Sequence, residues 1–123
     1  MDKITLSPLR KSWFIDLDGT VLVHNKDVSK FDDQVIEKSL EFLSSIREDF
    51  IVFTTSRESK YKTKTEDFLE KNNIKYDAII YDLPYGERLI INDNKPSGLV
   101  TAYSISVERN KGIDLEILVD NNK

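Results

Sequence analysis

Asp16 and Asp18 stand two residues apart, where the apolar and aromatic run Ser12 to Asp16 (SWFID) meets the turn pair Asp18-Gly19. Two carboxylates that close repel one another unless a cation lies between them. The pair therefore suggests Mg²⁺, which takes oxygen ligands from one or two carboxylates, water and substrate phosphate. Two other polar clusters also follow apolar runs. Thr54, Thr55 and Ser56, with Arg57 next to them, come after FIVF, and Asn92-Asp93-Asn94-Lys95 comes after RLII. Hydroxyls donate hydrogen bonds to phosphate oxygens, a lysine or arginine neutralises phosphate charge, and a glycine such as Gly19 lets backbone amides come close to an anion. The three clusters together have the chemistry of a phosphoryl site.

Such a site needs a scaffold that brings three strand ends to one edge. Apolar runs alternate here with helix-period stretches, the pattern of an α/β fold with a parallel sheet between helices. Strands are expected at 12–16, 50–53, 77–81 and 88–91, the last two joined by the turn Leu83-Pro84-Tyr85-Gly86. The composition of 99–105 also allows a strand, and a terminal one is expected at an edge over 115–119. Asp32 is a plausible N-cap for a helix whose inner face carries Ile36, Leu40, Leu43 and Ile46. Ser59 plays that part for a second helix with Tyr61, Thr65, Phe68 and Leu69 inside, closed by a left-handed cap at Asn72-Asn73. In open sheets of this kind ligands bind outside the carboxyl ends of the strands, where all three clusters fall. No repeat, low-complexity tract or linker divides the 123 residues, so a single domain is expected.

The stretch FIDLDGTVL resembles the first motif of the haloacid dehalogenase-like superfamily, an apolar strand followed by Asp-x-Asp-Gly-Thr. The resemblance runs over roughly residues 12 to 96, because a strand ending in Thr or Ser and a strand ending in an acid follow in the superfamily's order. It implies a Rossmann-like three-layer fold and a Mg²⁺-dependent phosphomonoester hydrolase. Asp16 looks like the nucleophile that forms an aspartyl phosphate. Asp18 looks like the acid that protonates the leaving oxygen and then activates water, Thr55 (with Thr54 as its rival) the second-motif hydroxyl, and Asp93 the acid that holds Mg²⁺ with Asp16 and Asp18. Each role is chemically reasonable. A carboxylate attacks a charged phosphoryl group only when cations neutralise and align the partners, and a nearby carboxyl can donate the leaving group's proton.

The chain departs from that pattern in two places. Where a third-motif Lys-Pro pair is expected it has Leu83-Pro84, so the phosphate cation must come from Lys95, the favoured candidate, or from Arg88. Asn92 also stands where many members have an acid. The gaps between motifs hold one helix, one strand and their loops, leaving no room for a cap domain. An open site then needs a large substrate, a homo-oligomeric neighbour or the 21–31 segment to exclude water. The resemblance leaves a small phosphorylated substrate such as a sugar phosphate. Rival readings are a catalytically weak relative serving as a binding or assembly subunit, a receiver-like phospho-acceptor signalling domain, and a phosphomutase. A receiver would carry its phospho-acceptor Asp after the third strand, and a phosphomutase would need a cap.

Composition narrows the partners. Lys and Arg total 18 against 22 Asp and Glu, a net charge of -4, which speaks against nucleic acid and anionic membranes. There is no cysteine, which removes thiolate chemistry and disulfides and fits the cytoplasm. No stretch approaches the roughly 18 apolar residues of a membrane span, and no targeting segment is expected. Gly19, Thr20, Thr54, Ser56, Arg57 and Arg88 are the candidate substrate contacts, although a lone arginine such as Arg57 reads more plainly as a surface salt bridge. His24 reads as a solvated loop residue, and Lys60, Lys62 and Lys64 as a solvated helix face. Tyr81 and Tyr85 either line the crevice or pack.

Overall fold

The computed structural model describes residues 2–123. Its elements are β1 (Asp2–Leu6), β2 (Ser12–Asp16), α1 (Glu37–Ser45), β3 (Phe50–Thr54), a 3₁₀ turn (Ser59–Tyr61), α2 (Lys62–Lys71), β4 (Ala78–Ile80) and β5 (Leu115–Val119). This is a small α/β arrangement with its parallel strands in two sheets: β2-β3-β4 in that order, and β1 beside β5. The expected single sheet is thus divided. β1 was not foreseen, because DKITL is short, opens on two charged residues, and has its partner at the other end of the chain.

The three-stranded sheet positions the site. Asp16 pairs in register with Thr54, and Thr54 with Ile80, so the carboxyl ends of β2, β3 and β4 lie along one edge. β3 is the central strand, and its Ile51 to Thr54 are buried. β2 is an edge strand, so the buried strand expected there is only half buried: Ile15 faces the core while Phe14 faces solvent. Trp13 stacks edge-on against Phe42 at 5.4 Å and donates its indole N–H to Asp49 at 2.9 Å. The core gathers Ile15, Leu17, Leu22, Phe42, Phe53 and Leu69 among others, and Leu115 and Ile117 of β5 pack on it.

Helix α1 begins at Glu37 rather than just after Asp32, with Ile36 at its N-cap and no side-chain cap. Ile36, Leu43 and Ile46 are buried as their spacing requires. Asn73 is left-handed (φ 57°), which ends α2 as expected from an asparagine's tolerance of that region. Residues 88–91 and 99–105, read as strands from their composition, form none. No helix among the described residues is long and apolar enough to cross a membrane.

Gly112 is left-handed (φ +87°), and a Cβ there would come within 2.9 Å of Lys38 Cβ and 3.1 Å of Ile36 Cγ2. Gly112→Ala combines backbone strain with overpacking against α1. A loss of about 1–3 kcal/mol is expected, read as a lower urea midpoint with an unchanged slope.

Candidate functional site

Leaving β2 at Asp16, the chain bends sharply. Leu17 donates its amide to the Thr54 carbonyl at 3.0 Å, and the amides of Val21 and Leu22 return to the Leu17 carbonyl at 3.0 and 2.9 Å. Gly19 supplies the positive φ (+89°) that this bend needs. Its amide is already donated to the Leu22 carbonyl at 2.6 Å, and its carbonyl accepts from Asn110 at 2.8 Å. The Arg109 side chain lies 3.2 Å from where a Cβ on Gly19 would stand. Gly19 therefore shapes the turn, and its N–H is not left over for an anion as the sequence suggested.

The two acids have different surroundings. Asp16 is about one-third exposed; its Oδ2 accepts from the Thr20 hydroxyl at 3.1 Å and its Oδ1 from Arg88 Nη1 at 2.7 Å. Asp18 is more enclosed. The buried Thr55 hydroxyl donates to its Oδ2 at 2.7 Å, while Arg57 grips it through Nε (3.0 Å to Oδ1) and Nη2 (2.8 Å to Oδ1). Among the described residues the Asp18 carboxylate's hydrogen-bond partners are Thr55 and Arg57.

Arg57 is the feature that sequence reasoning misjudged. Its side chain is 2% exposed, and it also makes a forked pair with Asp33, at 2.7 and 3.1 Å, and donates to the Thr65 hydroxyl at 3.0 Å. The side chain of Asp33 is itself 1% exposed. Burial alone would pull the guanidinium pKa down, but the hydrogen bonds and charges of Asp33 and Asp18 outweigh it, and the pKa is raised. The ion is fully charged at any physiological pH. Among the described residues no buried side-chain nitrogen or oxygen lacks a hydrogen-bond partner, so this polar cluster is closed. Arg57 therefore cannot meet a substrate as placed. It ties the loop after β3 (Arg57) to the loop after β2 (Asp18), to Asp33 and to α2 (Thr65).

The other candidates are dispersed. Thr54 is buried at the end of β3, and Ser56 reaches the Pro84 carbonyl at a long 3.4 Å. Asp93 and Lys95 lie exposed on the segment after Ile91. The Asp93 carbonyl accepts from Thr101, and the Lys95 backbone makes a turn with Gly98 and Leu99. Neither joins Asp16. The favoured cation, Lys95, is thus displaced by Arg88, which stands on Asp16 itself. Lys64 lies exposed on α2, as the solvated-face reading has it, and its ammonium also donates to the Val28 and Phe31 carbonyls. The His24 amide donates to Asn110, and Tyr81 donates to Glu66 at 3.0 Å, whereas Tyr85 is almost fully exposed.

No family model, curated protein or solved structure matches the chain. The site must be read on its own chemistry.

As placed, the two acids that Mg²⁺ would use face arginines. Among the described residues no three His, Asp or Glu side chains gather, and Asp93 stays apart from Asp16 and Asp18. Both Asp16 and Asp18 already have a guanidinium as counterion. What the arrangement offers is an accessible carboxylate paired with an accessible arginine, set on a rigid, fully hydrogen-bonded base.

Proposed function

We propose that this chain is a phosphomonoester hydrolase in which Asp16 receives the phosphoryl group, on a Rossmann-like three-layer fold of the haloacid dehalogenase type. The observation that carries this reading is the Asp16–Arg88 pair, 2.7 Å apart and about one-third exposed on both sides, at the carboxyl edge of the β2-β3-β4 sheet. An incoming phosphate dianion competes with Asp16 for the Arg88 guanidinium, which suits planar, two-pronged recognition of phosphate. Once Arg88 has turned to the phosphate, the Asp16 oxygen it held is free to attack phosphorus. The P–O bond to the leaving alcohol breaks as the acyl phosphate forms, and water then returns the phosphate and the carboxylate. Thr20 keeps the other Asp16 oxygen in place throughout.

Asp18 was expected to donate the proton to the leaving oxygen. With both its oxygens filled by Arg57 and Thr55, it serves in this reading to position the loop, and the proton comes from solvent at an open site. Esters whose leaving oxygen needs little protonation, such as aryl phosphates and sugar phosphates esterified at the anomeric carbon, then react fastest.

The test is phosphate release from aryl, anomeric and simple alkyl phosphates, with and without Mg²⁺. Turnover ordered by leaving-group acidity is the expected result. A requirement for Mg²⁺ would mean that the dication displaces Arg88 from Asp16. Because both acids are held by arginines, a second reading deserves its own outcome: a phosphate-binding or assembly subunit. It is supported if inorganic phosphate binds, Arg88→Ala abolishes that binding, and no ester turns over.

A further inference from the structure

Beyond Pro84 the chain leaves the sheet as an arm. Residues 85–92 make no backbone–backbone hydrogen bond, although nothing in their composition forbids one. The arm's large side chains face solvent: Tyr85 is 94% exposed, Leu89 86% and Ile91 98%, with Ile90, Val100 and Tyr103 also open. A run that reads RLII, unpaired along its backbone and bare along its three apolar side chains, is a strand without a sheet.

The same structure holds a sheet edge without a strand. β2 ends the order β2-β3-β4, nothing among the described residues pairs with its outer side, and Phe14 projects from it 56% exposed. Its interior, Trp13-Phe14-Ile15, has none of the prolines, lysines or bulges that protect natural edges. Arg88, at the root of the arm, already touches Asp16 at the end of this strand.

We propose that the chain forms a two-fold dimer in which residues 89–91 of each copy add to the outer edge of β2 in the other. The area is sufficient. Leu89, Ile90 and Ile91 of the arm with Phe14 of the receiving edge amount to about three fully exposed side chains, on the order of 500 Å² per copy, which matches the ~1,000 Å² in total that a specific interface needs. Each arm gives what the other copy's edge lacks, so the contact is self-complementary and closes after two copies. This inference is independent of any catalytic role for Asp16.

Light scattering behind size exclusion, run over a dilution series of the full chain, is the test, with hydrogen exchange of β2 and the arm beside it. The expected result is a dimer whose β2 and 89–91 amides are protected together. Leu89→Asp with Ile91→Asp should weaken dimerisation at least about 100-fold while the far-UV spectrum is unchanged, because both side chains are solvent-facing in the single chain. Phe14→Lys, altered on the receiving edge, should do the same independently. A monomer at every concentration would overturn the proposal, whether or not its 89–91 amides are protected, and so would a dimer that persists in both variants.

Discussion

Arg57→Met should cost about 3–5 kcal/mol of folding stability, a third or more of what a domain of this size commonly has. Methionine matches the arginine stem in length but leaves Asp33, 1% exposed at its side chain, without a counterion in a place water does not reach. Asp18 and the Thr65 hydroxyl lose their donor in the same step. The penalty is therefore mainly that of stranded acceptors and an uncompensated charge, more than the net worth of the intact cluster. Arg57→Lys is the informative companion. A lysine keeps the charge but cannot fork to two carboxylates and a hydroxyl together, so its urea midpoint should fall between those of wild type and Arg57→Met. Equal midpoints for all three proteins would show that the network contributes nothing to stability. Breaking an exposed pair such as Lys60–Glu58 should leave the midpoint unchanged.

That arginine also marks where sequence reasoning reaches its limit. Local signals were enough for β2, β3 and β4, for the inner faces of α1 and α2, and for the left-handed Asn73, because apolar spacing and turn chemistry act over a few residues. They also placed Asp16 and Thr54 correctly at neighbouring strand ends. The errors came where a partner lies far along the chain. β1 depends on β5 to be a strand at all, while RLII has the composition of a strand and finds no strand partner among the described residues. Arg57 is buried because Asp18 and Asp33 converge on it from separate loops, and among 22 acids neither could be singled out beforehand. Arg88 displaced Lys95 beside Asp16 for a related reason. Which cation meets a strand end is decided by the path of the arm after Pro84, and that path has no local code.

Asp16→Asn should lower phosphomonoester turnover by at least about 10³-fold, since an amide cannot form the acyl phosphate. Folding should hardly change. The amide oxygen can still accept from Thr20, and the pair it loses with Arg88 is about one-third exposed, worth no more than about 1 kcal/mol after solvent screening. The variant should also bind inorganic phosphate several-fold more tightly than wild type, because Arg88 is released from its internal counterion and the anion no longer faces a carboxylate. Calorimetric titration with phosphate, beside turnover and urea unfolding, separates these consequences. Lost turnover with tighter phosphate binding and an unchanged midpoint is what a nucleophile restrained by its own arginine requires. Turnover that survived in Asp16→Asn would remove Asp16 from the reaction. Phosphate affinity that fell instead would mean that the Asp16 carboxylate holds Arg88 in the pose that binds the anion, so that the pair works as a receptor and the binding-subunit reading gains at the expense of the hydrolase.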